Sequence, residues 1–140
     1  VLQEVHVLMD MSGSKTDFFM TRKDIEKEEK GKGTYKIIKS DEVSVIAGYN
    51  CKKATAALSE GHSYTVWYTN DIKVNNSNWN NQFRDIDGFL MEFTMNQGAL
   101  TMAMKARTVY PEKVSAEIFQ VPPGYQPVSG EDLKKMIQGK

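Results

Sequence analysis

Residues 34–69 read TYKIIKSDEVSVIAGYNCKKATAALSEGHSYTVWYT, and this stretch decides the fold class. It is rich in Ile, Val, Thr and Tyr, which fit a pleated, half-buried surface. Four strands are expected in it, at 34–39, 43–49, 51–58 and 63–69. Ser59-Glu60-Gly61-His62 supplies turn chemistry for a hairpin between the last two.

The same period-2 pattern extends in both directions. Upstream, Val5, Val7 and Met9 alternate with Glu4, His6 and Leu8, as in a strand. Asp10 to Ser14 reads as a turn, and Thr16 to Arg22 as a second strand carrying Phe18, Phe19 and Met20. Residues 23–33, KDIEKEEKGKG, read as an exposed connection with room for a short helical turn through Glu26 and Lys30. Downstream, the asparagine-rich run from Val74 to Gln82, which holds Trp79, reads as a loop. Strands follow at Gly88–Met95, Ala99–Tyr110 and Val114–Gln120, with a tight turn at Asn96-Gln97-Gly98 and a stop at Pro111. One helix is expected, at the C-terminal end. Ser129 is its N-cap, with Glu131 and Asp132 in the first turn, and Leu133, Met136 and Ile137 form one stripe before Gly139. The expected fold is therefore mainly β. It is an antiparallel meander curved into a half-open barrel with a short C-terminal helix, in a single domain over 1–140.

Composition narrows the chemistry. Among 140 residues, eighteen Lys and Arg balance eighteen Asp and Glu, which removes the basic excess that nucleic-acid binding draws on. The lone Cys51 permits no intrachain disulfide, and with only His6 and His62 a His/Cys metal site would be short of ligands. No phosphate-binding glycine loop, HExxH, GxSxG or EF-hand pattern occurs. No run of apolar residues is long enough to span a membrane as a helix. The sequence opens at Val1 without a secretory leader, as a cytoplasmic protein or a mature or trimmed chain would.

The candidate site lies on the C-terminal hairpin. Phe89, Met91, Phe93 and Met95 share one strand face, and Leu100, Met102, Met104 and Ala106 one face of the next. Leu90, Glu92 and Thr94 lie on the reverse side with Thr101, Ala103, Lys105 and Arg107. Eight methionines are many for this length, and methionine suits adaptable apolar surfaces. Two readings stand open: a groove for acyl chains, or a core beneath the helix. Trp67 and Tyr68 at a strand end either line the mouth of a pocket or pack inside. Trp79 in its polar loop either plugs the fold or marks a contact surface. His62 reads as a solvated turn residue. A Ser63/His62 nucleophile pair fails because neighbours on a strand face opposite ways. Cys51 reads as a buried thiol, although Lys52 and Lys53 stand beside it. Asn75-Asn76-Ser77 matches a glycosylation sequon.

Four segments resemble a known family. They are Ile46-Ala47-Gly48-Tyr49-Asn50-Cys51-Lys52-Lys53-Ala54, Val66-Trp67-Tyr68-Thr69-Asn70-Asp71-Ile72, Asp87-Gly88-Phe89-Leu90-Met91-Glu92-Phe93 and Phe119-Gln120-Val121-Pro122-Pro123-Gly124-Tyr125. In this order, over residues 43–137, they are similar to the GLPGLI-type envelope proteins of Gram-negative bacteria, a family of uncharacterised function related to the outer-membrane lipoprotein carriers. Asp85 and Asp87 stand where that family's turn has its first Gly and its Pro, which marks a divergent branch. The resemblance implies a periplasmic, outer-membrane-associated or secreted location and a half-open barrel sheltering an apolar interior. It also implies a longer N-terminal portion, missing here or completed by another copy of the chain. It brings no catalytic residues with it.

The function expected from all this is non-enzymatic, with no cofactor, metal or catalytic residue. The protein is expected to bind a lipid or acylated polypeptide in a groove lined by Phe89, Met91, Phe93, Met102 and Met104, with Trp67 and Trp79 nearby. The alternative is a structural module that docks a partner through a sheet edge and the Asn/Trp loop.

Overall fold

A computed structural model of the chain describes residues 3–31, 35–58, 61–97 and 99–139. Eight strands carry the fold: β1 (Glu4–Met11), β2 (Ser14–Thr21), β3 (Lys36–Ile46), β4 (Tyr49–Ala57), β5 (Ser63–Thr69), β6 (Phe89–Gln97), β7 (Leu100–Lys105) and β8 (Gln126–Ser129). Two helices join them, α1 (Arg22–Gly31) and α2 (Gly130–Gln138). The protein is mainly β, and where one domain over 1–140 was expected, the chain gathers into two compact units. One comprises Val1–Gly31 with Glu112–Lys140, the other Lys32–Pro111.

In the central unit β3 to β7 form an antiparallel meander in sequence order, an open sheet with β3 and β7 at its edges. The segments expected as separate strands at 34–39 and 43–49 are one strand, bulged between Lys39 and Val43. The chain reverses instead at Ala47-Gly48, where both residues are left-handed (φ 50° and 83°). That pair makes a two-residue turn whose twist suits the flanking strands. Within the bulge, Glu42 reaches across to Lys53 at 3.0 Å, so the polar Ser40-Asp41-Glu42 run interrupts the ladder without ending it. The hairpin expected at 59–62 joins β4 to β5, with Ala57 opposite Ser63, while Ser59 and Glu60 lie outside the described residues, as does Gly98 of the next turn.

Each face of this sheet carries a packed cluster. On one, the small Ala54 and Ala56 leave room for rings, and Tyr35 stacks on Phe83 at 5.4 Å above Val66 and Tyr68. Phe83 and Ile86 come from the segment that directly follows the asparagine-rich run, and they plug that cluster. The other cluster centres on Ile46, Cys51 and Met91.

In the terminal unit β1 and β2 pair through a left-handed Ser12-Gly13 turn, and β8 adds to β2 in parallel. Four features differ from expectation, three of them in this unit and one, the end of β7, in the other. The charged run after β2 is a full helix, α1. Thr21 and Asp24 cap it: the Asp24 carboxylate accepts from the Thr21 backbone N–H (2.9 Å) and hydroxyl (2.7 Å), and Ile25 is its buried anchor. The expected strand at Val114–Gln120 is a 3₁₀ turn, Ala116–Phe119, because the Ser115 hydroxyl accepts from the Glu117 N–H and pulls the backbone out of extension. The expected strand at Ala99–Tyr110 ends at Lys105, with one further bond from the Ala106 N–H to the Met91 carbonyl. β8 was not anticipated, since it holds Pro127; a proline is tolerated there because β8 lies at the sheet edge. α2 begins as expected, with the Ser129 hydroxyl accepting from the Asp132 N–H and donating to its carboxylate. Of its stripe, Leu133 is half-buried while Met136 and Ile137 are exposed.

Candidate functional site

Strand parity in the terminal unit sets two faces. Direct partners across β1 and β2 put Val5, Val7 and Met9 with Met20, Phe18 and Thr16, and put His6 and Leu8 with Phe19 and Asp17. The second face bears a groove of about 500 Å³, floored by Glu4, His6 and Leu8. Ile118, Phe119, Gln120 and Val121 form its opposite wall. The 3₁₀ turn gives this wall its shape, since it brings Ile118 and Phe119 round as neighbours on a single bend. Both rank among the most exposed large apolar side chains described, at 71% and 78%, while Leu8 across the groove is 41% exposed.

The polar end of the groove is an ordered cluster. His6 Nδ1 lies 2.9 and 3.0 Å from the two carboxylate oxygens of Asp17, and His6 Nε2 lies 3.4 Å from a Glu4 oxygen. Asp17 is buried, so a hydrogen-bonded cationic partner offsets much of its desolvation. The Asp17 bond, reinforced by Glu4, raises the His6 pKa above its ordinary 6.5 against a smaller opposing effect of burial. The Phe19 ring stacks beside the imidazole at 6.0 Å, which fixes its plane. Apolar walls with a hydrogen-bonded polar end suit an amphiphilic ligand.

The seven residues expected to line a groove on β6 and β7 are dispersed. A bulge is the reason. Trp67 faces Glu92 while Tyr68 faces Leu90, which leaves Met91 as the extra residue. The row Phe89, Met91, Phe93, Met95 therefore splits between the two faces of the sheet. Phe89 and Trp67 pack with Met91, itself 1% exposed, around Cys51. Phe93 and Met95 go to the other cluster, where Phe93 meets Phe83 edge-on at 5.6 Å. Across the hairpin, Phe93 faces Met104 and Met95 faces Met102, as expected. Met102 is half-buried and Met104 half exposed, both on the edge strand. Trp79 stands apart, lining a polar pocket of about 310 Å³ with Asn76, Arg84 and Asp87. That loop is built by its own amides: Asn78 donates to the Ile86 and Gly88 carbonyls and Ser77 donates to Gly88.

The remaining candidates fall into place. Glu92 was expected on a polar reverse side with Leu90; the bulge puts it opposite Trp67 instead, on the face of the Cys51 cluster, with its carboxylate 3.4 Å from Lys105. His62 is exposed in its turn. The Cys51 thiol is buried, which pushes its pKa up despite the adjacent lysines. Among the described residues, no group of three or more His, Cys, Asp and Glu side chains is arranged to hold a metal ion, and no helix is long and apolar enough to cross a membrane. The sequence reading missed the β1 groove. Its signal was present in Leu8, an apolar residue on the polar face of β1, and in Ile118-Phe119 beside a serine cap. No protein family, curated protein or solved structure matches the chain.

Proposed function

We propose that this is a non-enzymatic binding protein that holds the apolar chain of a lipid-like amphiphile in the groove between β1 and Ile118–Val121. The observation that carries the reading is the groove itself: about 500 Å³, walled by large apolar side chains left open to water. Ligand pockets commonly run from roughly 300 to 1,000 Å³, and contiguous exposed apolar surface of this kind marks a binding site. Burying about ten methylenes would contribute roughly 8 kcal/mol, comparable to the cost of association. A location outside the cytoplasm belongs to the same proposal and rests on the four-segment resemblance to envelope proteins.

The test is a titration of the intact chain with a fluorescent long-chain alkyl probe. Saturable binding is expected, and Phe119→Asp weakens it by about tenfold or more, the equivalent of losing one buried aromatic contact. Binding that survives Phe119→Asp and falls with Met104→Asp would move the site to the β6–β7 hairpin and overturn the groove assignment. No saturable binding would overturn the function.

A second reading is favoured by the exposed Ile38, Val43 and Val45 on edge strand β3 and Leu100 and Met104 on edge strand β7. Apolar open edges are templates for pairing with another chain. On that reading the protein docks a partner or a second copy through an edge, and light scattering shows a dimer that Val45→Lys or Met104→Lys dissolves. A monomer at all concentrations would remove it.

A further inference from the structure

Resting on the groove reading above, we infer that the ligand is an amphiphile with a cationic head, an amine or quaternary ammonium group, seated at Glu4 and His6. The sign of the charge at the groove's polar end supports this. Two carboxylates, Glu4 and Asp17, face a single imidazole there. With His6 protonated the cluster carries one net negative charge, and with His6 neutral it carries two. His6 aside, none of the described side chains lining the groove is basic.

Two described cations of this unit, Arg22 and Lys15, are engaged elsewhere. Arg22 follows Thr21, the cross-strand partner of Glu4, but its guanidinium bonds Glu26 at 2.8 Å and Gln3 at 2.7 Å. Lys15, at the far end of β2, lies over the Tyr125 ring. Glu117, on the turn that forms the opposite wall, adds a further exposed carboxylate. Of the two acids at His6, Asp17 is closed off beneath the imidazole and Glu4 is the reachable one, its side chain 34% exposed against 6% for Asp17. A cationic head therefore meets Glu4 and replaces the weaker of the two contacts of His6, the 3.4 Å one. An anionic head would meet the carboxylates of Glu4 and Asp17 at this end of the groove.

The experiment uses the intact chain and three probes of equal alkyl length, each below its micelle concentration: an alcohol, a trimethylammonium and a carboxylate. The ammonium probe is expected to bind tighter than the alcohol by roughly threefold or more, the scale of an exposed ion pair, and the carboxylate probe weakest. The ammonium preference widens as pH rises through the His6 pKa, and it shrinks in 0.5 M salt, as exposed charge interactions do. Glu4→Gln brings the ratio of ammonium to carboxylate affinity toward one, with melting temperature recorded to confirm folding. If the alcohol binds while the carboxylate equals or beats the ammonium, the head-group inference falls and the groove reading stands. If the alcohol does not bind, the groove reading falls and takes the inference with it.

Discussion

Asp17 is an acid on a strand whose neighbours are Phe18 and Phe19, and it is only 4% exposed. A buried carboxylate is tolerated when a cation is hydrogen-bonded to it, and His6 fills that role with a contact to each oxygen. The dependence on pH follows from the raised His6 pKa. Protonated His6 stabilises the fold fully below the unfolded pKa of about 6.5, and that contribution is lost as pH rises through the higher folded value. Thermal melts of the wild type and His6→Gln are therefore expected to differ most below about pH 6.5 and to converge as pH rises through the raised His6 pKa. A gap that stays constant across this range would show that His6 contributes through packing alone. Methionines give a second contrast. Met91 is fully enclosed and Met104 is half exposed, so Met91→Ala is expected to cost about 2–5 kcal/mol in urea unfolding. Met104→Ala is expected to stay within about 0.5 kcal/mol.

At the scale of elements, turn chemistry separates what could be read in the sequence from what could not. Most of the strands are legible as alternating β-branched and aromatic residues, and α2 as a capped apolar stripe. The Ala47-Gly48 reversal was hidden because Ser40-Asp41-Glu42 has stronger turn composition than Ala-Gly. That polar run was absorbed as a bulge once the Glu42–Lys53 contact could form across the strands. Helix α1 was hidden for a different reason: its charge density suggested a solvated connection, while the Thr21/Asp24 cap was the informative signal. The bulge at Met91 also left no mark in the pattern, since one extra residue in an all-apolar row reads the same on either face. The turn itself is testable. A Cβ on Gly48 would meet no atom within 4 Å, so Gly48→Ala is expected to cost about 1–2 kcal/mol purely through left-handed backbone strain. Ala47→Asn is expected to stabilise by up to about 1 kcal/mol, because asparagine tolerates that conformation better. No cost for Gly48→Ala, or a loss of stability for Ala47→Asn, would contradict the turn type.

Across the whole molecule, apolar burial is unevenly shared. Among the described residues, Ile25 is the one buried apolar side chain of the terminal unit, and all the others belong to residues 32–111. Local stability tracks such burial. Amides of β4 and β5 are therefore expected to exchange with solvent far more slowly than those of β1 and β8, and comparable rates would contradict this division. The sparsely buried unit is also the one with the open groove, and a ligand that binds only the folded state adds stability where it binds. Hydrogen exchange with and without a saturating long-chain alcohol tests the central claim most directly. The account predicts slowed exchange confined to β1 and residues 116–121, with β6 and β7 unchanged. Protection appearing instead along Phe89–Lys105, or nowhere, would contradict it.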